Sequence, residues 1–266
     1  MATQERATLA RRARHRLRTR VSEYPRLYLP FARHKYPGPS PEVIGPETEF
    51  VIDGYTRSAS TFAVYALQLA QPAPVRLAHH LHAPAQLVAA AQAGVPALAV
   101  IREPRGAILS QLIREPGVAL RDALVGYARF YERLCSCRDR FVVADFEEIT
   151  KDFGAVTRRV NERFATAFAE FEPTEQNVRR CFELIKLRGT LSPVLLGFES
   201  GTVTAGELGP EVAALARQAG PAGQEWIPSA ERDRAKAALR EQWARPALAR
   251  LRERARCVYE MFRGPG

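Results

Sequence analysis

Cysteine and lysine are both scarce in this chain of 266 residues. The four cysteines, Cys135, Cys137, Cys181 and Cys257, make one C-x-C and no C-x-x-C pair, which argues against a zinc knuckle or a disulfide framework. They read as ordinary thiols of a reducing, cytoplasmic compartment. Only four of the 39 basic residues are lysine, a bias of coding rather than of function. No run approaches the ~18 apolar residues that span a bilayer. The N-terminal segment carries arginine where a secretory leader needs an apolar stretch. No internal repeat is visible. What is present is 46% apolar sequence, enough for a sizeable core without metals or cross-links.

The net charge of +10 is uneven. Residues 1–35 hold nine Arg and one Lys against Glu5 and Glu23, so this arm alone carries +8. Without interleaved aromatics it predicts a solvated, partly helical extension rather than a specific nucleic-acid site, and leaves peripheral contact with an anionic membrane open. Six prolines between residues 22 and 48 predict an extended linker, so that 1–48 is an arm and linker ahead of one domain over 49–266.

Within that domain, short apolar runs at 49–53, 75–79, 97–101 and 141–144 alternate with helical patterns at 60–71, 84–93, 104–113 and 118–137. Strands alternating with helices predict a parallel sheet covered on both faces. Beyond Glu147 the pattern is helical, at 151–170, 174–188 and 229–262, with a glycine-rich loop region expected over 189–223. The fold class is α/β: a three-layer sandwich with a central parallel sheet and a helical C-terminal half.

The segment Gly54-Tyr55-Thr56-Arg57-Ser58-Ala59-Ser60-Thr61 joins the first strand to a helix, the position of a phosphate-binding loop. Small residues let backbone N–H groups close around an anion, and the helix adds its N-terminal partial charge. Measured against the G-x-x-x-x-G-K-S/T loop, the second glycine is Ala59 and the lysine is Ser60. The cation sits inside the loop, as Arg57. The third strand runs into Arg102-Glu103-Pro104-Arg105-Gly106, with Ser110 about two turns into the next helix. Three of the five histidines, His79, His80 and His82, follow the second strand. A histidine titrates near neutrality, so a neutral one can take a proton from an acceptor hydroxyl. The H-x-H spacing also admits a metal, but no third clustered ligand is evident.

Over residues 49–150 these segments resemble the PAPS-dependent sulfotransferases of the bacterial type, whose fold is P-loop NTPase-like. Their phosphosulfate loop carries a basic residue, a small residue, glycine, threonine, a hydroxyl residue and a large residue. Arg57, Ser58, Ser60, Thr61 and Phe62 fit it, Ala59 replaces the glycine, and Thr56 replaces a preceding proline. The resemblance implies that this loop cradles the 5′-phosphosulfate of 3′-phosphoadenosine-5′-phosphosulfate. It implies that Arg102 and Ser110 grip the 3′-phosphate, with Gly106 in place of a common acidic residue. His82-Ala83-Pro84 matches the family's H-x-P around its acceptor-activating histidine. His80 falls where a lysine is usual, as fallback base or donor to the sulfuryl oxygens. Asp145 to Ile149 resembles an acidic segment that supports core loops. The C-terminal R-K-G-x-x-G-D-W motif is missing, with Arg188-Gly189 as a substitute.

The resemblance thus implies a sulfotransferase acting on a small-molecule or glycan hydroxyl (or amine), with no metal required. Acceptor selection would fall to the loops expected at 22–48 and 189–225. Two other readings stay open. One is an ATP-dependent phosphotransferase with magnesium and Arg57 in the lysine's role. The other is a non-catalytic protein binding RNA or another anion through its basic arm.

Overall fold

The computed structural model describes residues 2–38, 40–218 and 230–264. Among these residues one four-stranded sheet is formed by β1 (Phe50–Gly54), β2 (Leu77–His79), β3 (Ala97–Ile101) and β4 (Val142–Asp145). All three pairings are parallel and the spatial order is β2-β1-β3-β4. Every residue of β1 and β3 is buried, as parallel strands covered on both faces require.

The period-2 alternation of these strands splits the core in two. Phe50, Ile52, Leu98 and Val100 pack with residues of α3 (Ser60–Ala70), α8 (Phe153–Phe164), α9 (Glu175–Leu187), α10 (Pro193–Ser200) and α11 (Ala205–Gln218). Val51, Ala97, Ala99 and Ile101 pack on the other side, with α2 (Pro25–Lys35), α4 (Pro84–Ala93), α5 (Pro104–Arg114), α6 (Leu120–Leu134) and α13 (Ala249–Arg263). The architecture is therefore α/β, with a helical layer on each face of a parallel sheet. From β1 the chain winds to β2 on one side and returns to β3 on the other. The winding reverses at β1, and such a switch point opens a crevice outside the strands' carboxyl ends.

The expected strands and the helices between them occur within a few residues of their boundaries. Three expectations are corrected. The stretch 22–48 is not wholly extended, because α2 occupies Pro25–Lys35. Pro25 suits the first helical turn, and burial of Tyr28, Leu29 and Ala32 outweighs the interior break at Pro30. The region expected as loop at 189–223 instead forms α10 and α11, whose Leu195, Phe198 and Leu208 close the second core. The helix expected over 229–262 is two, α12 (Ala230–Ala244) and α13, parted by a 3₁₀ turn at Pro246–Leu248. Pro39, Gly220 and Ser229, used in those expectations, lie outside the described residues.

The basic arm is helix α1 (Ala2–Val21), and it turns part of its charge inward. Arg12 and Arg16 both pair with the buried Asp122 of α6, and Arg18 donates to the Leu81 carbonyl and the Tyr28 hydroxyl. No helix among the described residues is long and apolar enough to cross a membrane.

Candidate functional site

The crevice is a cavity of about 420 Å³. The loop from β1 to α3 forms its floor. Gly54 ends β1 where any Cβ would strike the Val100 carbonyl at 2.1 Å, so the close approach of β1 to β3 requires glycine. Beyond it, Arg57 (φ 70°) and Ala59 (φ 75°) adopt the left-handed region. Each costs a non-glycine residue roughly 1–3 kcal/mol, and strain of this kind gathers at binding loops. Left-handed residues spaced in this way are the backbone pattern of an anion-binding nest. Ser60 then opens α3, whose N-terminal end faces the nest with its partial positive charge. The Ser60 hydroxyl is buried and finds no protein partner.

The Arg102 and Ser110 segment converges on that loop. Arg57 Nε donates to Ser110 Oγ at 3.0 Å, and Arg102 Nη1 donates to the Arg57 carbonyl at 3.1 Å. The Arg102 guanidinium lies 3.8 Å from the centre of the Phe146 ring, and Tyr127 Oη donates to the Arg102 carbonyl. Phe146 follows β4 directly. Its aromatic platform has no motif to mark it in the sequence, and the acidic residues beside it serve the fold: Asp145 and Glu148 form a capping box on α7 (Phe146–Lys151). The glycine at 106 also has a local reason, since a Cβ there would sit 3.0 Å from Arg102 Nε.

The three histidines separate by environment. His80 (φ 58°) and His82 (φ 49°) are both left-handed, which turns their rings to the cavity while Leu81 between them stays in the core. His82 Nδ1 lies 2.9 Å from the Gly54 carbonyl, which can only accept, so Nδ1 carries the hydrogen and Nε2 keeps the lone pair. The Asp53 carboxylate stands 3.5 Å from the same Nδ1, held in place by the backbone N–H groups of Gly54 and His82.

His79 and His80 are buried and neutral. Burial, reinforced by the Arg188 charge, pushes His79 down to about 3 and His80 well below the usual range. Their Nδ1 atoms lie 2.6 Å apart and share one proton. His79 Nε2 has no partner, and an orphaned buried lone pair is cheaper than an orphaned N–H. The proton therefore belongs to His79, and His80 donates through Nε2 to Thr61 Oγ1 at 3.0 Å. The Thr61 hydroxyl hydrogen is left to turn toward the nest.

Behind this cluster lies an ion pair of Arg188, named in the sequence beside Gly189, with Glu199, which carries no sequence signal. Glu199, at 0% exposure, accepts from Tyr65 and is paired with Arg188 at 2.7 Å, while Arg188 also donates to Ser40. Ligand atoms of His79, His80 and Glu199 come within metal-binding reach of one another. The Arg188 guanidinium, bonded to both Glu199 oxygens, already supplies the cation there.

All ten residues singled out in the sequence, Arg57, Ser58, Ala59, Ser60, Thr61, Phe62, His80, His82, Arg102 and Ser110, line this one cavity. Arg114 and Lys236 add further cations against Glu115, while the charge of Arg188 is met by Glu199. Such an excess of positive charge over a backbone nest suits a ligand with more than one anionic group. The chain matches no protein-family model, no curated protein and no solved structure.

Proposed function

We propose that the protein is a sulfotransferase of P-loop-like fold, moving a sulfuryl group from 3′-phosphoadenosine-5′-phosphosulfate to an acceptor hydroxyl. The observation that carries this reading is the joining of two cationic sites, Arg57 bonded to Ser110 and Arg102 bonded to the Arg57 carbonyl. A donor with phosphate at both the 5′ and 3′ ends presents anions to both. The loop suits its 5′ end: the left-handed turns at Arg57 and Ala59 and the α3 terminus favour an anion, and the buried Ser60 hydroxyl has no protein partner. Ser60 also replaces the lysine on which an ATP-hydrolysing loop depends.

The bound donor supplies an activated sulfuryl group on a good phosphate leaving group. The chain supplies position and charge. His82 Nε2 takes the proton of the acceptor hydroxyl, and the imidazolium formed is stabilised by Asp53 beside Nδ1. Arg57 and the loop N–H groups face the phosphate end, where negative charge grows as the reaction proceeds, so they favour the transition state over the ground state. His80, with both ring nitrogens engaged, orients Thr61 rather than acting as a base.

The test is thermal unfolding of the full chain with 3′-phosphoadenosine-5′-phosphate, and separately with ATP and magnesium. The desulfonated nucleotide at a hundredfold its Kd is expected to stabilise by about 2.7 kcal/mol. A shift with ATP and magnesium alone would favour the phosphotransferase reading, and a shift with neither would refute both.

A further inference from the structure

A second, smaller cavity of about 80 Å³ lies beneath α1, between that helix and α5 and α6. Thr56, His82 and Glu115 belong to the walls of both cavities, so the two meet at His82. We infer that this small cavity is the acceptor subsite and that it admits the hydroxyl-bearing end of an aliphatic polyol or sugar, an inference that rests on the sulfotransferase reading. α1 is then a wall of the site, held there by Arg12 and Arg16 on Asp122 and by Arg18 on the Leu81 carbonyl.

Position is the first argument. In the transfer, a bond forms from the acceptor oxygen to sulfur as the bond from sulfur to the 5′-phosphate oxygen breaks. The hydroxyl proton passes to His82 Nε2, and the electron pair of the broken bond leaves on the phosphate. Attack and departure lie on opposite sides of sulfur, which calls for donor and acceptor spaces that meet at the base.

Chemistry is the second. His15, Thr19, Ser22, Gln111 and Glu115 set polar groups among the apolar faces of Pro84 and Phe130 in the cavity wall, a mixed lining that suits a carbon chain bearing hydroxyls. His15 Nε2 is buried there with no protein partner. Burial lowers the His15 pKa, leaving a neutral ring that can exchange a hydrogen bond with an uncharged hydroxyl. Size is the third. At roughly 10–15 Å³ for each water-sized group the cavity holds about half a dozen, enough for a hydroxymethyl and its neighbouring carbinol carbons but not for a fused aromatic. Gly126, buried in the middle of α6, borders the same space. A Cβ there would lie 3.6 Å from Tyr55 Oη and 3.8 Å from Thr19 Oγ1, so a methyl group fits without displacing anything and takes up room. Helix propensity favours alanine at such a position, and the glycine keeps the hollow open.

The experiment is steady-state sulfation by the full chain with methyl glucoside, glycerol and 2-naphthol as acceptors, for the wild type, Gly126→Ala and His15→Ala. The polyols are expected to be sulfated and naphthol not. Gly126→Ala should raise the polyol KM about tenfold or more, the size of a one-methyl misfit, and His15→Ala should raise it too. Donor KM and the thermal shift with 3′-phosphoadenosine-5′-phosphate should not move. Sulfation of naphthol alone, no sulfation by a nucleotide-binding wild type, or an unmoved polyol KM in both variants would each overturn the inference. A wild type that does not bind the nucleotide sinks the sulfotransferase reading instead.

Discussion

Arg57, Arg102 and Ser110 reach the cavity from the loops that directly follow β1 and β3 and from the first two turns of α5, each set by its distance from the strand before it. Arg188 and His15 reach the two cavities by another route, from a turn after α9 and from α1, and each meets residues there from distant parts of the chain. In the first region a few consecutive residues set the geometry, so a side chain's role follows from its distance to a strand end. In the second, position is set by how helices pack, and the partners are remote: Arg188 meets Ser40, and Arg12 meets Asp122. The two regions should therefore fail differently when altered. Loss from the strand-end loops should appear in turnover and nucleotide binding, and loss from the helical flanks in stability or acceptor choice.

The largest effect is expected at His82. His82→Ala should lower turnover by about 10²–10⁴-fold, the usual contribution of a general base, with the thermal shift by 3′-phosphoadenosine-5′-phosphate preserved. A loss of that size at His80→Ala, with His82→Ala near normal, would reverse the roles given to the two rings. Next is the flank. Arg188→Ala leaves Glu199 charged and buried, which should cost about 3–5 kcal/mol of stability. Pairing it with Glu199→Gln, which keeps an acceptor for Tyr65, should restore part of that loss in denaturant titrations. If the single variant is as stable as the wild type, the pair does not hold the flank and the contrast between the regions weakens.

A smaller effect is expected at Arg102, whose charged hydrogen bonds are worth about 1.5–3 kcal/mol, or roughly ten- to a hundredfold in affinity. Arg102→Ala should weaken binding of 3′-phosphoadenosine-5′-phosphate by that factor in calorimetry and leave adenosine 5′-phosphate nearly unchanged. Equal losses for both nucleotides would mean that Arg102 only supports the loop through the Arg57 carbonyl.

The same division explains what was legible beforehand. The strands were readable because each is a short apolar run bounded by polar or turn residues, and the loop residues because spacing from a strand end fixes where they point. The helix at Pro25–Lys35 was not, since its prolines speak locally against it while the burial of Tyr28 and Leu29 that favours it depends on α4 and the sheet. Glu199 carries no signal of its own in a glycine-rich stretch. Its burial follows from α10 docking under α3, a long-range event with no periodic trace. Phe146 was in view but was weighed for its acidic neighbours, and only the position of Arg102 above its ring reveals its use.

The smallest effect per unit change separates the buried histidine pair from the half-exposed His82. His79 is lowered from 6.5 to about 3, first by burial and then by Arg188. Below pH 6.5 the unfolded chain takes up a proton that the native state refuses, so stability falls as the pH drops from 6.5 toward 3. The limiting slope is about 1.4 kcal/mol per pH unit for one such group. His80 is shifted the same way and steepens the decline. Denaturant midpoints between pH 6.5 and 5 should therefore fall steadily. The fall should be shallower in His79→Gln, which retains polarity without the titration. Equal slopes in variant and wild type would mean that His79 is charged in the native state, and the proton chain from His79 through His80 to Thr61 would have to be redrawn.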